Sequence, residues 1–270
     1  MITNSKCKIC FSSKGKEILN VSKCKDTYLD YMKIDYLSLD RFYKKCSGCG
    51  LTYRSVYLDD KEKQQLYNVF RDIGLRKETH EQYFERITNL PAENSENDEK
   101  YTFLEKFMKK SGKHLDVGGG LGVFCYGFKK YFNKWDSICV EPTEGAEAIA
   151  RKNGVKSHNI YLSESSSEII GDSFDLITAN HVVEHVDNPI EFLSLLKKFL
   201  SDDGIVYIEM PSTLDIGFLE VCHDRFMCQH EVIHNQSSVQ NLAKKAGLEV
   251  SVIADFVSKR GRNNVRALLK

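Results

Sequence analysis

A chain of 270 residues with 41% apolar side chains is long enough for one sizeable domain plus a small one, and apolar enough for a packed core. Its 38 basic and 38 acidic side chains cancel, which weighs against a dedicated nucleic-acid binder. There is no apolar run of membrane-spanning length, and the first residues, MITNSKCKIC, lack an apolar signal core, so the expectation is a cytoplasmic protein with no membrane partner.

The first element is a pair of cysteine knuckles. Cys7-x-x-Cys10 and Cys46-x-x-Cys49 each point two thiols at one place, and 35 residues separate the pairs. Four thiolates make a closed tetrahedral zinc site with no open position, so a structural Zn2+ is expected rather than a catalytic one. A small module of this kind takes part of its folding energy from the metal. Nine cysteines without a secretory leader favour metal binding over disulfides, and Cys24 reads as a buried thiol. Between the knuckles Tyr28, Tyr31, Tyr36, Phe42 and Tyr43 alternate as short strands would. Residues 1–58 hold eleven Lys or Arg against five Asp or Glu: a solvated basic surface, or attraction for an anionic substrate.

Residues 59–100 read as a helical linker. Leu66, Val69, Phe70 and Ile73 have helical spacing, and Tyr83, Phe84 and Ile87 continue it. The polar stretch 91–98 reads as a loop, followed by a helix over Tyr101–Lys110. From 101 to 270 strands and helices alternate, which predicts an α/β doubly wound, seven-stranded Rossmann-like sheet with ligands at the carboxyl ends of its strands. The strands expected are 114–117, 137–141, 174–179, 204–210, 248–256 and 264–269, with another ending near 161–163.

The stretch His114 to Gly122 reads D-x-G-x-G-x-G between a strand and a helix. A dinucleotide fingerprint counted from Gly118 would need a third glycine at 123, which is Val123. The spacing instead resembles motif I of class I S-adenosylmethionine methyltransferases. That resemblance implies that Gly118, Gly119, Gly120 and Gly122 face the amino-acid half of the cofactor, with Asp116 contacting it or fixing the loop. Glu141, 19 residues past Gly122, is placed to accept from both ribose hydroxyls, with Pro142 beside it. Leu162 lies where adenine is expected, and Asn180 and His181 lie next to the methyl position.

Residues 172–212, DSFDLITANHVVEHVDNPIEFLSLLKKFLSDDGIVYIEMPS, are similar to the second half of ubiquinone- and sugar-type class I methyltransferases. The two knuckles followed by GLTY resemble the zinc domain of bacterial sugar C-methyltransferases, although this chain stops at the last sheet strand, without their large C-terminal domain. His181, Glu184 and His185 stand at i, i+3 and i+4, and would share one face of a helix whose Val182, Val183 and Val186 turn to the core. Methyl transfer needs alignment and removal of one proton, for which a histidine is suited. The resemblance assigns the general base to His185, with His181 and Glu184 beside it in the catalytic cluster. A second reading is a divalent metal on His181, Glu184 and His185, with His230 or His234 as a further ligand. In FLEVCHDRFMCQHEVIHNQSS, His230 matches a histidine of the family and reads as a substrate contact. His223 and His234 read as surface residues. Arg225, Arg260 and Arg262 are candidates for holding a phosphate.

The function expected is methyl transfer to a small, anionic or nucleotide-linked metabolite, a precursor of a surface polysaccharide. An RNA methyltransferase gripping RNA through the zinc module, and a non-catalytic scaffold that binds cofactor and zinc, are the alternatives.

Overall fold

The computed structural model describes residues 1–3, 6–70 and 72–270. The N-terminal elements are β1 (Ile2–Thr3), β2 (Gly15–Asn20), α1 (Thr27–Met32), β3 (Phe42–Cys46), β4 (Thr52–Arg54) and β5 (Val56–Tyr57). Tyr28 and Tyr31 lie in α1 rather than in a strand. The cause is local: the Asp26 carboxylate accepts from the amides of Tyr28 and Leu29, which caps a helix there.

Helices α2 (Asp60–Val69), α3 (Ile73–Arg76), α4 (His80–Thr88) and α5 (Glu96–Leu104) follow. Capping boxes start α2 at Asp59 and α4 at Thr79. The expected loop over 91–98 is shorter, and the helix after it starts and ends earlier. Ser95 caps α5 by accepting from the Asp98 amide, and Glu96, Asp98 and Glu99 sit in its first turn, where the helix dipole favours acids.

The remaining elements are β6 (Gly112–Val117), α6 (Val123–Tyr131), β7 (Trp135–Val140), α7 (Ala146–Lys152), β8 (Lys156–His158), α8 (Ser167–Ile170), β9 (Phe174–Asn180), α9 (Pro189–Lys198), β10 (Leu200–Pro211), β11 (Val232–Ile233), α10 (Gln236–Lys245), β12 (Val250–Val257) and β13 (Asn263–Leu269). Seven strands form one sheet in the order β12-β13-β10-β9-β6-β7-β8. The pairs β10–β9, β9–β6, β6–β7 and β7–β8 are parallel, and β13 pairs antiparallel with β10 and β12. This is the Rossmann-like doubly wound sheet that the alternation predicts. Strand alternation sorts the core into two faces. Val206 and Ile208 pack with Leu193 and Leu196 of α9 and Val239 and Leu242 of α10, while Ile205 and Tyr207 pack with Tyr101 of α5 and Phe124 and Phe128 of α6.

The N-terminal module is built into this core. Cys7, Ile9, Leu51 and Tyr53 belong to the same apolar cluster as Leu115, Ile177 and Val206. Strand β11 completes the module's sheet, β11-β4-β3-β2, with Val232 opposite Tyr53 and Ile233 opposite Thr52. Cys24 is not a thiol: it forms a disulfide with Cys222, 198 residues away. The segment between β10 and β11 runs back over the module and brings the two sulfurs together. Among the described residues, no helix is long and apolar enough to cross a membrane.

Candidate active site

Strand β6 delivers Asp116 and then the glycine loop. Asp116 is buried, accepts from Thr178 Oγ1 at 2.5 Å, and is raised to about 7 by burial. Gly118 has φ of +70°, and a Cβ there would lie 2.6 Å from Val182 Cγ2, so only glycine fits. Glu141 follows β7 and closes the loop from the side. Its Oε2 accepts from the Gly120 amide at 2.9 Å, and its Oε1 from the Thr143 amide at 3.0 Å and hydroxyl at 2.5 Å.

These residues line a cavity of about 570 Å3. Asp116, Gly118, Gly119, Gly120, Glu141, Pro142, Leu162, Asn180 and His181 all border it, as do His185 and His230. Gly122 does not; it caps the N-terminus of α6 with φ of +77° and packs against Ala150. Arg225 does not either. It is buried away from the cavity, where its Nη1 donates to Ser212 O at 3.0 Å and pairs with Asp215. Arg260 and Arg262 border the cavity instead, paired with Glu96 at 3.3 Å and Asp224 at 3.2 Å but with about half of each side chain exposed. Strand β8 ends at His158, short of the expected position, but Ile160, Tyr161 and Leu162 still form the wall.

Residues 181–185 form turns, not a helix. His181 is left-handed, with φ of +54°, because its amide donates to Glu209 O at 2.8 Å at the end of β10. The turn changes which side chains face the cavity: Val183 is buried, whereas Val182 and Val186 line the wall. His181 Nδ1 lies 3.2 Å from Glu184 Oε1, and its Nε2 lies 3.5 Å from Glu209 Oε1. The surrounding protein opposes charge on this ring. The hydrogen bonds to the two carboxylates outweigh that and raise it to about 9. Burial acts against Glu184 and Glu209 as well, yet His181, together with His185 for Glu184 and Lys100 for Glu209, holds both at about 2. At neutral pH His181 is therefore an imidazolium between two fully buried carboxylates and has no lone pair to accept a proton.

His185 is arranged differently. Its Nδ1 meets Gln229 O at 2.5 Å. A carbonyl only accepts, so Nδ1 carries a proton, and in the neutral ring the lone pair is on Nε2. Nε2 is 3.9 Å from Glu184 Oε1. His230 is held in the same tautomer by Arg225 O at 3.0 Å, stacks on His185 with centroids 5.5 Å apart, and is lowered to about 3 by burial. Acceptor atoms of Glu184, His185 and His230 thus lie within 4.8 Å of one another. His234 is buried against Ser238 of α10 rather than exposed, because its backbone bridges Ser212 in parallel just past the end of β10.

Glu209 and Lys100 were not among the residues expected from sequence. Lys100 Nζ is 3.2 Å from Glu209 Oε1, and Tyr207 donates its hydroxyl to Glu209 Oε2 at 2.5 Å. One signal was present: an acid inside the apolar run IVYIEMP is expected to be buried and paired.

Both sets of donors suit their groups. Asn180 Oδ1 is buried at the cavity wall without a hydrogen-bond partner, and the glycine loop beside it lets a ligand lie against main chain with no side chain between, as suits a polar cofactor. In the module, Cys7 Sγ is 3.4 Å from Cys49 Sγ and Cys10 Sγ is 3.3 Å from Cys46 Sγ. All four sulfurs lie within 4.8 Å of one another, and tetrahedral zinc needs sulfurs about 3.8 Å apart. The amides of Ile9 and Gly48 point at Cys7 and Cys46, as knuckle amides stabilise thiolates.

A parallel sheet with a glycine loop, a following acid and a cavity at its strand ends defines an α/β fold that binds a nucleoside cofactor. A methyltransferase-domain family matches residues 79–251, and the chain belongs to the class I S-adenosylmethionine-dependent methyltransferases. An uncharacterized methyltransferase of Schizosaccharomyces pombe is 29% identical over 119 residues, which cover 39% of this chain and 42% of that protein. The (S)-coclaurine N-methyltransferase of Thalictrum flavum is 24% identical over 159 residues, 57% of this chain and 41% of that enzyme. The chain thus spans about two fifths of the length of these relatives. The solved structure of a plantazolicin methyltransferase in complex with S-adenosylhomocysteine shares the fold, with a TM-score of 0.55 at 18% identity over 78% of this chain and 98% of that one.

Proposed function

We propose that the chain transfers the methyl group of S-adenosylmethionine to a small acceptor, with His185 as general base. The observation that carries this reading is the tautomer of His185, with Nδ1–H on the Gln229 carbonyl and the Nε2 lone pair beside the cavity. When bound, the cofactor supplies an electrophilic methyl group. Gly118, Gly119 and Gly120 would hold its amino-acid half with Asp116, Glu141 its ribose, Leu162 its adenine, and Asn180 the region of the sulfonium. His185 Nε2 takes the acceptor's proton, and the imidazolium formed is stabilised by the Glu184 carboxylate 3.9 Å away. His181 keeps Glu184 ionised and in place. His230, stacked on His185, would contact the acceptor.

Arg260 and Arg262 support an anionic substrate, such as a nucleotide-linked precursor of a surface polysaccharide, acted on in the cytoplasm at oxygen or carbon. We divide the chain into a zinc module at 1–58, a helical segment at 59–100 and the catalytic domain at 101–270, with Zn2+ structural on Cys7, Cys10, Cys46 and Cys49. The test is His185→Ala assayed with S-adenosylmethionine against nucleotide sugars and phosphorylated metabolites. Turnover should vanish while cofactor binding persists, and near-full activity would refute the role of His185.

A second reading has one observation in its favour. Glu184, His185 and His230 converge, with both rings locked by backbone carbonyls as metal-binding histidines are. A divalent cation there would orient an acceptor oxygen. Activity lost on chelation and restored by Mg2+ or Mn2+, with zinc still bound at the cysteines, would favour it.

A further inference from the structure

We infer that Lys8, the residue after the first cysteine of the first knuckle, is a positioning residue for His185. This inference rests on the proposed role of His185. The Lys8 side chain is 9% exposed and lies over the Tyr57 ring at 4.8 Å. Its Nζ donates to Val186 O at 3.2 Å and to Glu231 Oε2 at 2.5 Å, and lies 3.5 Å from Asp187 Oδ1. From α2, Lys63 reaches the same two acids, Glu231 Oε1 at 3.1 Å and Asp187. Two cations and two anions thus form one cluster, with Glu231 6% exposed.

The cluster joins two loops. One carries the His185 ring, with Val186 and Asp187 directly after it. The other carries the Gln229 carbonyl that holds the His185 Nδ1–H, with Glu231 two residues on. Lys8 grips both within two residues of the contact between them. Its own direction is set by the knuckle, where the Ile9 amide points at Cys7 Sγ and Cys7 is buried. With the lysine charge removed, Lys63 alone must hold Asp187 and Glu231 together, and the Val186 carbonyl loses its Lys8 donor. The loops part, the His185–Gln229 hydrogen bond opens, and the ring is free to exchange tautomers. The cysteine module thereby sets the catalytic geometry as well as the stability of the chain.

The experiment uses the full chain with 15N-labelled histidine, loaded with S-adenosylhomocysteine. His185 signals are identified by their loss in His185→Ala. In the wild type they should report a protonated Nδ1 and an unprotonated Nε2. In Lys8→Met they should collapse toward the average of exchanging tautomers, and in Lys8→Arg the locked pattern should return, with S-adenosylhomocysteine affinity unchanged in both. A folded Lys8→Met with wild-type His185 signals overturns the assignment. If Lys8→Met does not fold, Lys63→Met reads the same cluster from α2: collapse of the locked pattern supports the bridge, and an unmoved pattern overturns it. Failure of the wild type to bind S-adenosylhomocysteine would strike the cofactor reading, whereas normal binding with unmoved His185 signals strikes Lys8 alone.

Discussion

The ring of His185 donates its Nδ1–H to the main-chain carbonyl of Gln229, 44 residues further along the chain. A main-chain acceptor has no side chain to rotate and no proton to exchange, so it fixes both the tautomer and the plane of the ring. Four residues earlier, His181 is fixed by two carboxylates instead and carries a proton. Two histidines four residues apart are thus held by different partners, one by a main-chain carbonyl and the other by two carboxylates.

Replacing His185 should separate chemistry from binding. His185→Ala should lower turnover by about 10²- to 10⁴-fold, the usual contribution of a positioned base. Isothermal titration with S-adenosylhomocysteine should give the wild-type affinity. A parallel loss of affinity would mean that the ring holds cofactor rather than moves a proton.

The His181 cluster makes stability depend on pH with a definite sign. The raised His181 stabilises fully below its ordinary 6.5, and that contribution is lost as pH rises through about 9. The lowered Glu184 and Glu209 stabilise above their ordinary 4.5, and their contribution is lost as pH falls through about 2. The His181 and carboxylate contributions are therefore both complete between pH 4.5 and 6.5. The buried neutral rings of His114, His230 and His234 oppose them as pH falls below 6.5, and buried Asp116 does so as pH rises toward 7. His181 is accordingly read from the alkaline limb of the urea midpoints. His181→Leu should lower stability, because Glu184 loses its nearest cationic partner and Glu209 keeps only Lys100, and should flatten the alkaline limb. An unchanged alkaline limb in this variant would show that His181 is not the group responsible.

Gly118→Ala should weaken S-adenosylhomocysteine binding at least tenfold by calorimetry. The new Cβ meets Val182 in a left-handed backbone, at a strain of about 1–2 kcal/mol before any loss of cofactor contact. Wild-type affinity would mean that the cofactor does not lie on this backbone.

Cys46→Ser should release zinc, measured by plasma emission spectroscopy, and unfold the module. Because Cys46 and Cys49 share an apolar cluster with the main sheet, the thermal midpoint of the whole chain should drop with it. A metal-free variant that melts like wild type would exclude a structural metal.

The Cys24–Cys222 disulfide ties the module to the segment between β10 and β11. Reduction, or Cys24→Ser with Cys222→Ser, should lower stability by about 2–4 kcal/mol through the freed unfolded chain. Two free thiols at these positions in untreated protein, by mass spectrometry after alkylation, would remove this prediction.

What could be read from the residues alone was local. The D-x-G-x-G-x-G turn, the strand and helix alternation, the cysteine knuckles and the acid at 141 all depend on backbone conformation within a few residues, and each lies where expected. Legibility failed where partners are distant. The turn at 181–185 looked helical because its spacing is helical, but the pull of Glu209 on the His181 amide comes from another strand. Arg225 looked available until Asp215 and Ser212 took its guanidinium. The Cys24 thiol found Cys222 across nearly the whole chain. Residue pattern by itself determined the order of the main strands and helices, the glycine loop and the knuckles, since these are set by steric and hydrogen-bonding preferences along the chain. Only the tertiary structure decided that His181 sits between two carboxylates, that His185 meets the Gln229 carbonyl, and that Lys8 reaches Val186 and Glu231 beside that contact. Those properties depend on the dielectric and on charges brought close by folding, which no spacing along the chain encodes.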